Sequence, residues 1–340
     1  MLGGMTSSVN TIPEIPNPGA EKNGKIKLGL YSVSYGGIWY KGPALSFDEL
    51  CRQAKEYGFE GIELDNKRPM GNPMDLDQRK REEMHNSLAK QGLEIPCVAA
   101  NNDFSSPIPE HRECQLLMVR ETAKLAKDMG AKVVRLFAAW TGVPIHDGIG
   151  TYEFVHGHDG FYTFLRQYPY ATHIDRWNFV KETLKEAAKI GEENGVVMAL
   201  QNHGPLIRHW KDTFELVRQV NSPWLKICLD LPIFENLDKE YVANAVRTVG
   251  NLQVHSHYGG EYYRDENKIV RQKGLDYNFG EPFPDYGHYI GLMNEIGYNG
   301  YFTFELCHPL LNKDHTATGI EYVHEQVNLA REFMANIINK

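Results

Sequence analysis

Short apolar segments alternate with amphipathic segments along most of this chain. The apolar segments have the length and composition of buried β-strands, whereas the amphipathic segments repeat apolar residues at helical spacing. The predicted strands are 25–32, 61–66, 93–101, 131–139, 196–202, 225–231, 252–258 and 301–307. A predicted helix follows each strand, near 46–58, 76–91, 111–129, 175–194, 211–220, 238–247, 285–296 and 317–337.

This regular order predicts the fold class. Near-continuous apolar strands separated by helices indicate a parallel sheet covered by helices, and eight such units favour a closed (β/α)8 TIM barrel. No GxGxxG sequence follows the first strand, which argues against a dinucleotide-binding fold. Residues 1–24 are predicted to form an irregular N-terminal arm, residues 25–340 a single barrel domain, and segments 140–173 and 258–283 long loops.

Composition and charge restrict the classes of partner. A net charge of -8, without a basic stripe, argues against nucleic acids and against anionic membrane surfaces. No apolar stretch is long enough to span a bilayer. The five scattered cysteines suggest free thiols in a reducing compartment, so a cytoplasmic location is expected. The N-terminal sequence lacks the features of a signal peptide, and a signal removed upstream would leave a periplasmic location open.

Polar residues terminate the last four predicted strands. They are Gln201, Asp230, His257 and Glu305. Each alone has an ordinary structural explanation, such as an aspartate that caps a loop or a histidine in the core. All four at one rim of a parallel barrel, however, would provide oxygen and imidazole ligands for Mn²⁺, Mg²⁺, Co²⁺ or Zn²⁺.

The chain resembles the xylose isomerase-like TIM-barrel superfamily, in particular its sugar phosphate isomerase/epimerase group. The segments that carry the resemblance are GFEGIEL (58–64), ALQNHG (199–204), CLDLP (228–232), HSHYGGEYYR (255–264) and GYNGYFTFEL (297–306). In that group a Glu, an Asp, a His and a Glu at the last four strand ends hold the metal. The resemblance implies that the matching ligands here are Gln201, Asp230, His257 and Glu305.

The same resemblance implies a class of reaction and of substrate. It implies a metal-dependent isomerase or epimerase that removes a proton next to the carbonyl of a sugar, keto-sugar or sugar phosphate and stabilises an enediolate. The run 255–264 is similar to the HxHxGExxR pattern of ketose 3-epimerases, with one residue more, which would place Glu261 and Arg264 against substrate hydroxyls. Members of the group commonly form homo-oligomers.

Gln201 departs from the pattern of this group, in which two glutamates exchange the substrate proton. An amide has no useful basicity near neutral pH, although its carbonyl oxygen can still bind a metal, in a ligand set of charge -2 instead of -3. Three hypotheses remain: a one-base isomerisation or an elimination from a keto-glycoside with Glu305 as base, a reaction in which His203 supplies the other proton, and a catalytically inactive sugar-binding accessory subunit. His203 could equally be a structural hydrogen-bonding residue.

Further residues are expected around this site because of their positions at strand ends. Asn101 ends the third predicted strand and Trp140 follows the fourth, where an indole ring could stack on a sugar face. His255 lies two residues before His257 and faces the same side of its strand, while His308 lies just beyond Glu305. Both histidines are expected to form hydrogen bonds that position the metal ligands, without binding the metal themselves.

Overall fold

Eight parallel strands form a closed barrel in this computed structural model, which describes residues 24–151, 166–272 and 283–339. The barrel strands are β1 (Lys27–Tyr31), β2 (Gly61–Asp65), β3 (Cys97–Ala99), β4 (Val133–Leu136), β7 (Val197–Gln201), β8 (Leu225–Cys228), β9 (Gln253–Gly259) and β12 (Tyr301–Glu305). β12 pairs with β1 and closes the barrel. The predicted (β/α)8 TIM barrel is therefore confirmed.

Eight helices among the described residues surround the barrel. They are α1 (Phe47–Tyr57), α2 (Gln78–Gln91), α3 (Pro109–Asp128), α4 (His173–Asn194), α5 (Trp210–Val220), α6 (Lys239–Val249), α7 (Tyr286–Glu295) and α8 (Ile320–Ile338). Ser46 caps α1 in a capping box with Glu49, and Gly58 ends it in the left-handed conformation, close to the predicted bounds of 46–58. None of the helices in the described part of the chain is long and apolar enough to cross a membrane.

The structure differs from the sequence predictions in two kinds of segment. The third strand is shorter than predicted, because Pro96 has no N–H for the sheet and the strand begins only at Cys97. The predicted loop 258–283 contains an antiparallel hairpin of β10 (Glu261–Asp265) and β11 (Lys268–Gln272), and the loop 140–173 contains the short strands β5 (Ile145–His146) and β6 (Ile149–Gly150). The predicted N-terminal arm, apart from Gly24, lies outside the described residues.

Strand order brings the predicted site together. β7, β8, β9 and β12 are successive neighbours around the barrel, so the ends of these strands are adjacent at the carboxyl-terminal mouth. Close packing at the closing seam needs a glycine, because a Cβ on Gly29 would lie 2.7 Å from the hydroxyl oxygen of its partner Thr303. The fold thus places four polar strand ends side by side at one end of the barrel.

Candidate metal and active site

Three of the four predicted metal ligands converge at the carboxyl-terminal mouth of the barrel. Ligand atoms of Asp230, His257 and Glu305 all lie within 4.8 Å of one another. The Nδ1 atom of His257 lies 3.4 Å from Asp230 Oδ2 and 3.9 Å from Glu305 Oε2. Asp230 and His257 are buried, while the Glu305 carboxylate is 19% exposed and borders a cavity.

The unpaired atoms of this group fit a divalent cation. Oδ1 of Asp230 and Nδ1 of His257 are buried and make no hydrogen bond. Buried polar atoms without a partner are costly, since they lose their hydration and gain nothing in return. Two carboxylates and one imidazole are also the donor types that Mn²⁺, Mg²⁺, Co²⁺ and Zn²⁺ accept. The three residues present are therefore suited to hold such an ion.

Glu63, on β2, fixes the orientation of His257 from across the barrel. Its Oε2 atom accepts hydrogen bonds from Nε2 of His257 and Nε2 of His255, each at 2.7 Å. With Nε2 donating to a carboxylate, the Nδ1 atom of His257 is directed at Asp230 and Glu305, an arrangement typical of metal-binding histidines. His255 thus supports His257 through the shared Glu63 and through its own ring, whose centre lies 5.0 Å from that of His257. It also borders a second cavity at the amino-terminal end of the barrel.

Electrostatics distinguish the two histidines that share Glu63. Burial opposes a charge on His257, but attraction to the Glu63 carboxylate outweighs it and holds the pKa of His257 well above its usual value. Burial lowers the pKa of His255, and the neighbouring His257 contributes in the same direction. Burial raises the pKa of Glu305, and Asp230 adds to this effect while the positive His257 opposes it. A positive charge is thus favoured between the two carboxylates.

The amide of Gln201, which the sequence predicts as a metal ligand, is held by hydrogen bonds on both sides. Arg135 donates from Nε to Glu63 at 3.0 Å, from Nη1 to the carbonyl oxygen of Gln201 at 2.7 Å, and from Nη2 to the hydroxyl of Tyr31 at 2.9 Å. The amide nitrogen of Gln201 donates to Asp230 Oδ2 at 2.5 Å. The oxygen of Gln201 thus faces Arg135, while its nitrogen binds Oδ2 of Asp230 and leaves Oδ1 of Asp230 available. Arg135 is buried, and its three side-chain hydrogen bonds were not predicted from the sequence.

A cavity of about 340 Å³ opens above the ligands. Its lining includes Asp230 and Glu305 together with the predicted residues Asn101, Trp140, His203 and His308. Trp140 stacks on Phe137 with ring centres 4.9 Å apart, and the His203 ring stands edge-on to both. Nδ1 of His203 lies 2.8 Å from the carbonyl oxygen of Gly204, which makes this nitrogen a hydrogen-bond donor. Aromatic surfaces and polar groups thus share one pocket, as in many small-molecule sites.

Two predicted substrate contacts are placed elsewhere. Arg264 is half-exposed on β10 and pairs with Glu332 on α8 at 2.8 Å, so its predicted role at the substrate is not supported by the structure. Glu261 is buried behind the cavity lining, where its carboxylate binds His308 at 3.1 Å and the hydroxyl of Tyr322 at 2.6 Å. Both corrections have one cause: this stretch of chain forms a hairpin that packs on the last helix instead of an open loop over the cavity.

The comparisons with known proteins agree with this architecture. Residues 51–326 match the model of the family described as xylose isomerase-like TIM barrel. The chain belongs to that family. No match is found among curated proteins.

Solved structures with the same fold include several sugar epimerases. A D-psicose 3-epimerase from Clostridium cellulolyticum H10, in complex with D-tagatose, is 16% identical, with 92% of this chain and 99% of that chain covered and a TM-score of 0.64. The 3-keto-D-glucoside 4-epimerase of E. coli is also 16% identical, with 93% and 100% covered and a TM-score of 0.62. The IolI protein with a bound zinc atom is 15% identical, with 92% and 98% covered and a TM-score of 0.62. At these identities the likeness concerns the fold.

Proposed function

We propose that this protein is a metal-dependent enzyme that removes a proton next to the carbonyl group of a sugar or keto-sugar. The observation that carries the proposal is the convergence of Asp230, His257 and Glu305 beside a cavity, with two buried ligand atoms that have no hydrogen-bond partner. The fold that this chain shares with sugar 3-epimerases and with a keto-glucoside 4-epimerase supports the same class of substrate.

Each residue has a definite task in this proposal. Asp230, His257 and Glu305 would hold the cation, which when bound polarises a carbonyl and stabilises negative charge on its oxygen. Glu305 lies at the cavity surface, beside the position that the cation would take, so it is the proposed proton acceptor. Glu63 keeps the His257 ring in place, and Gln201 keeps Asp230 in place.

A reaction with one carboxylate base is the form that this site supports best. Gln201 stands at the strand end where the related group has a second glutamate, and its amide is held by Arg135 on one side and Asp230 on the other. It therefore neither accepts nor returns a substrate proton. His203, in the cavity lining beside Trp140, is the proposed partner for that second proton transfer. Isomerisation between aldose and ketose and elimination from a keto-glycoside are both compatible with one base.

The proposal is tested by deuterium exchange. Protein loaded with Mn²⁺ is incubated in D₂O with D-fructose, D-psicose or a 3-keto-D-glucoside, and NMR follows the proton on the carbon next to the carbonyl. We expect exchange in at least one of these compounds, and a loss of at least 100-fold in Glu305→Gln, since positioned bases contribute about 10²–10⁴ in rate.

The matched control is Glu295→Gln, an identical change in an exposed carboxylate of α7 that pairs with Arg247. It should exchange at the wild-type rate. An absence of exchange in all three compounds, in protein that binds no Mn²⁺, would favour the sugar-binding accessory subunit instead. Exchange that survives in Glu305→Gln would remove Glu305 from the role of base.

A further inference from the structure

A second arginine, Arg271, reaches the cavity from the hairpin that the sequence did not predict. It lies on β11 directly opposite Tyr262 of β10, and its side chain forms part of the cavity lining beside Gly259 and Gly260. Only 7% of Arg271 is exposed, so its charge is almost entirely withdrawn from water. Arg271 therefore places a guanidinium charge inside the same cavity as Glu305.

No carboxylate in the described part of the chain neutralises the Arg271 guanidinium. Its Nε and Nη1 atoms are buried and have no hydrogen-bond partner, and within the three described ranges it has no carboxylate at ion-pair distance. The nearest acid along the hairpin, Glu261, directs its two oxygens to His308 and Tyr322 instead. The remaining contacts of Arg271 are the rings of Phe283 and Tyr286, whose centres lie 5.1 and 6.0 Å from the guanidinium carbon.

Such contacts leave most of the cost of burial uncompensated. An aromatic face attracts a cation but accepts few of the five N–H bonds that a guanidinium can donate. The other cations of the cavity differ in this respect. Lys67 lies 3.4 Å from Asp65, and Arg135 has three side-chain acceptors. Among the described cationic residues of the cavity lining, Arg271 is the one with buried N–H groups, at Nε and Nη1, that have no hydrogen-bond acceptor.

Local backbone structure is adapted to this position of the guanidinium. Gly260 has a φ of +110°, and a Cβ at this residue would lie 2.3 Å from Nε of Arg271. A side chain of any kind at Gly260 would therefore displace the guanidinium. The backbone conformation at the end of β9 thus opens the space in which Arg271 lies against the cavity.

We infer that Arg271 binds an anionic substituent of the substrate, a carboxylate or a phosphate carried by the sugar. A planar guanidinium with unpaired donors in a water-poor pocket is the group that recognises such oxyanions best. The inference rests on the proposed function in that the cavity is taken as the substrate site. It narrows the substrate class from sugars in general to acidic sugar derivatives.

Matched pairs of probes test this inference in binding titrations. D-fructose is compared with D-fructose 6-phosphate, and D-glucose with D-glucuronate, by calorimetry on the Mn²⁺-treated full chain. We expect at least one acidic member to bind at least tenfold more tightly than its neutral partner. Arg271→Gln should reduce this preference below threefold, and Arg271→Lys, which keeps the charge, should retain part of it. A preference for the phosphate alone or for the carboxylate alone identifies the substituent.

Arg264→Gln is the control, since it removes an equal charge from the facing strand of the same hairpin at an exposed position. It should leave the preference unchanged. Equal binding of acidic and neutral partners by the wild type, or a preference that persists in Arg271→Gln, overturns the inference. Because binding is measured without turnover, failure of the deuterium exchange with an intact acidic preference would count against the proposed reaction alone.

Discussion

Replacing Gln201 by glutamate should strengthen metal binding while it weakens the metal-free fold. The amide nitrogen of Gln201 lies 2.5 Å from Asp230 Oδ2 and donates a hydrogen bond to it. In Gln201→Glu an oxygen takes the place of this nitrogen, so two carboxylate oxygens face each other without a proton between them. The other oxygen of the new carboxylate keeps its contact with Arg135, which Gln201 makes at 2.7 Å.

The magnitude follows from the charges and distances at the site. Two unit charges 4 Å apart interact by about 4 kcal/mol at an effective dielectric constant of 20, which is appropriate for such sites. Repulsion of this order between residues 201 and 230 destabilises the metal-free protein or forces one carboxyl to stay protonated. A bound divalent cation relieves this repulsion and is also attracted by the additional carboxylate at residue 201. Both effects favour metal binding. If metal binding relieves only about 1.4 kcal/mol of this repulsion, the affinity for the cation rises tenfold.

Calorimetric titration with Mn²⁺ and thermal unfolding with and without the ion measure the two effects. We expect a lower Tm in the metal-free variant, at least tenfold tighter Mn²⁺ binding, and a larger Tm increase on adding the ion. Gln78→Glu, the same change at an exposed position at the start of α2, should show none of these effects. Unchanged or weaker Mn²⁺ binding in Gln201→Glu would refute the assignment of the site, because the added charge would then lie away from the cation.

Two further substitutions test the ligands and the buried network separately. Asp230→Asn should abolish stabilisation by Mn²⁺, which at an ion concentration 100 times Kd amounts to about 2.7 kcal/mol, or about 4 °C in Tm for a chain of this length. A Tm increase that persists in this variant would place the ion elsewhere. Arg135→Met should lower the free energy of unfolding by about 3–5 kcal/mol because it removes one of the buried partners of Glu63 and leaves the oxygens of Gln201 and Tyr31 without their donor. Arg247→Met, which breaks an exposed ion pair, should cost at most about 1 kcal/mol in the same denaturant titration.

The barrel was predictable from sequence because its signal is repeated eight times. The strands are short and mostly apolar, the helices that follow them are amphipathic, and Ser46 marks the start of the first helix. The hairpin was missed because its turn lacks a sequence signal. Glu266 adopts a positive φ of 51°, a conformation for which Gly or Asn is the usual indication. A loop was therefore predicted where β10 and β11 form.

The site was predictable where it depends on strand ends and hidden where it depends on contacts across the barrel. Asp230, His257 and Glu305 could be grouped because the carboxyl ends of neighbouring parallel strands meet at one rim. Contact between Glu63 and His257 joins residues 194 positions apart through the barrel interior, and no local pattern announces it. Arg271 was hidden because its importance arises from a hairpin and from the absence of a partner, neither of which a sequence displays.

The single amide at position 201 links these findings. A carboxylate at this position would face Asp230 at hydrogen-bonding distance, and only a bound cation or a proton could stabilise that contact. The glutamine can keep its hydrogen bonds to Arg135 and Asp230 whether or not a cation is bound. The hydrogen bond from the amide nitrogen of Gln201 holds Oδ2 of Asp230 and leaves Oδ1 available. In the proposed function, Gln201 therefore leaves the three candidate ligands in place but cannot itself act as a base. The proposed reaction would then depend on proton removal from one face of the substrate, with Glu305 as the carboxylate base.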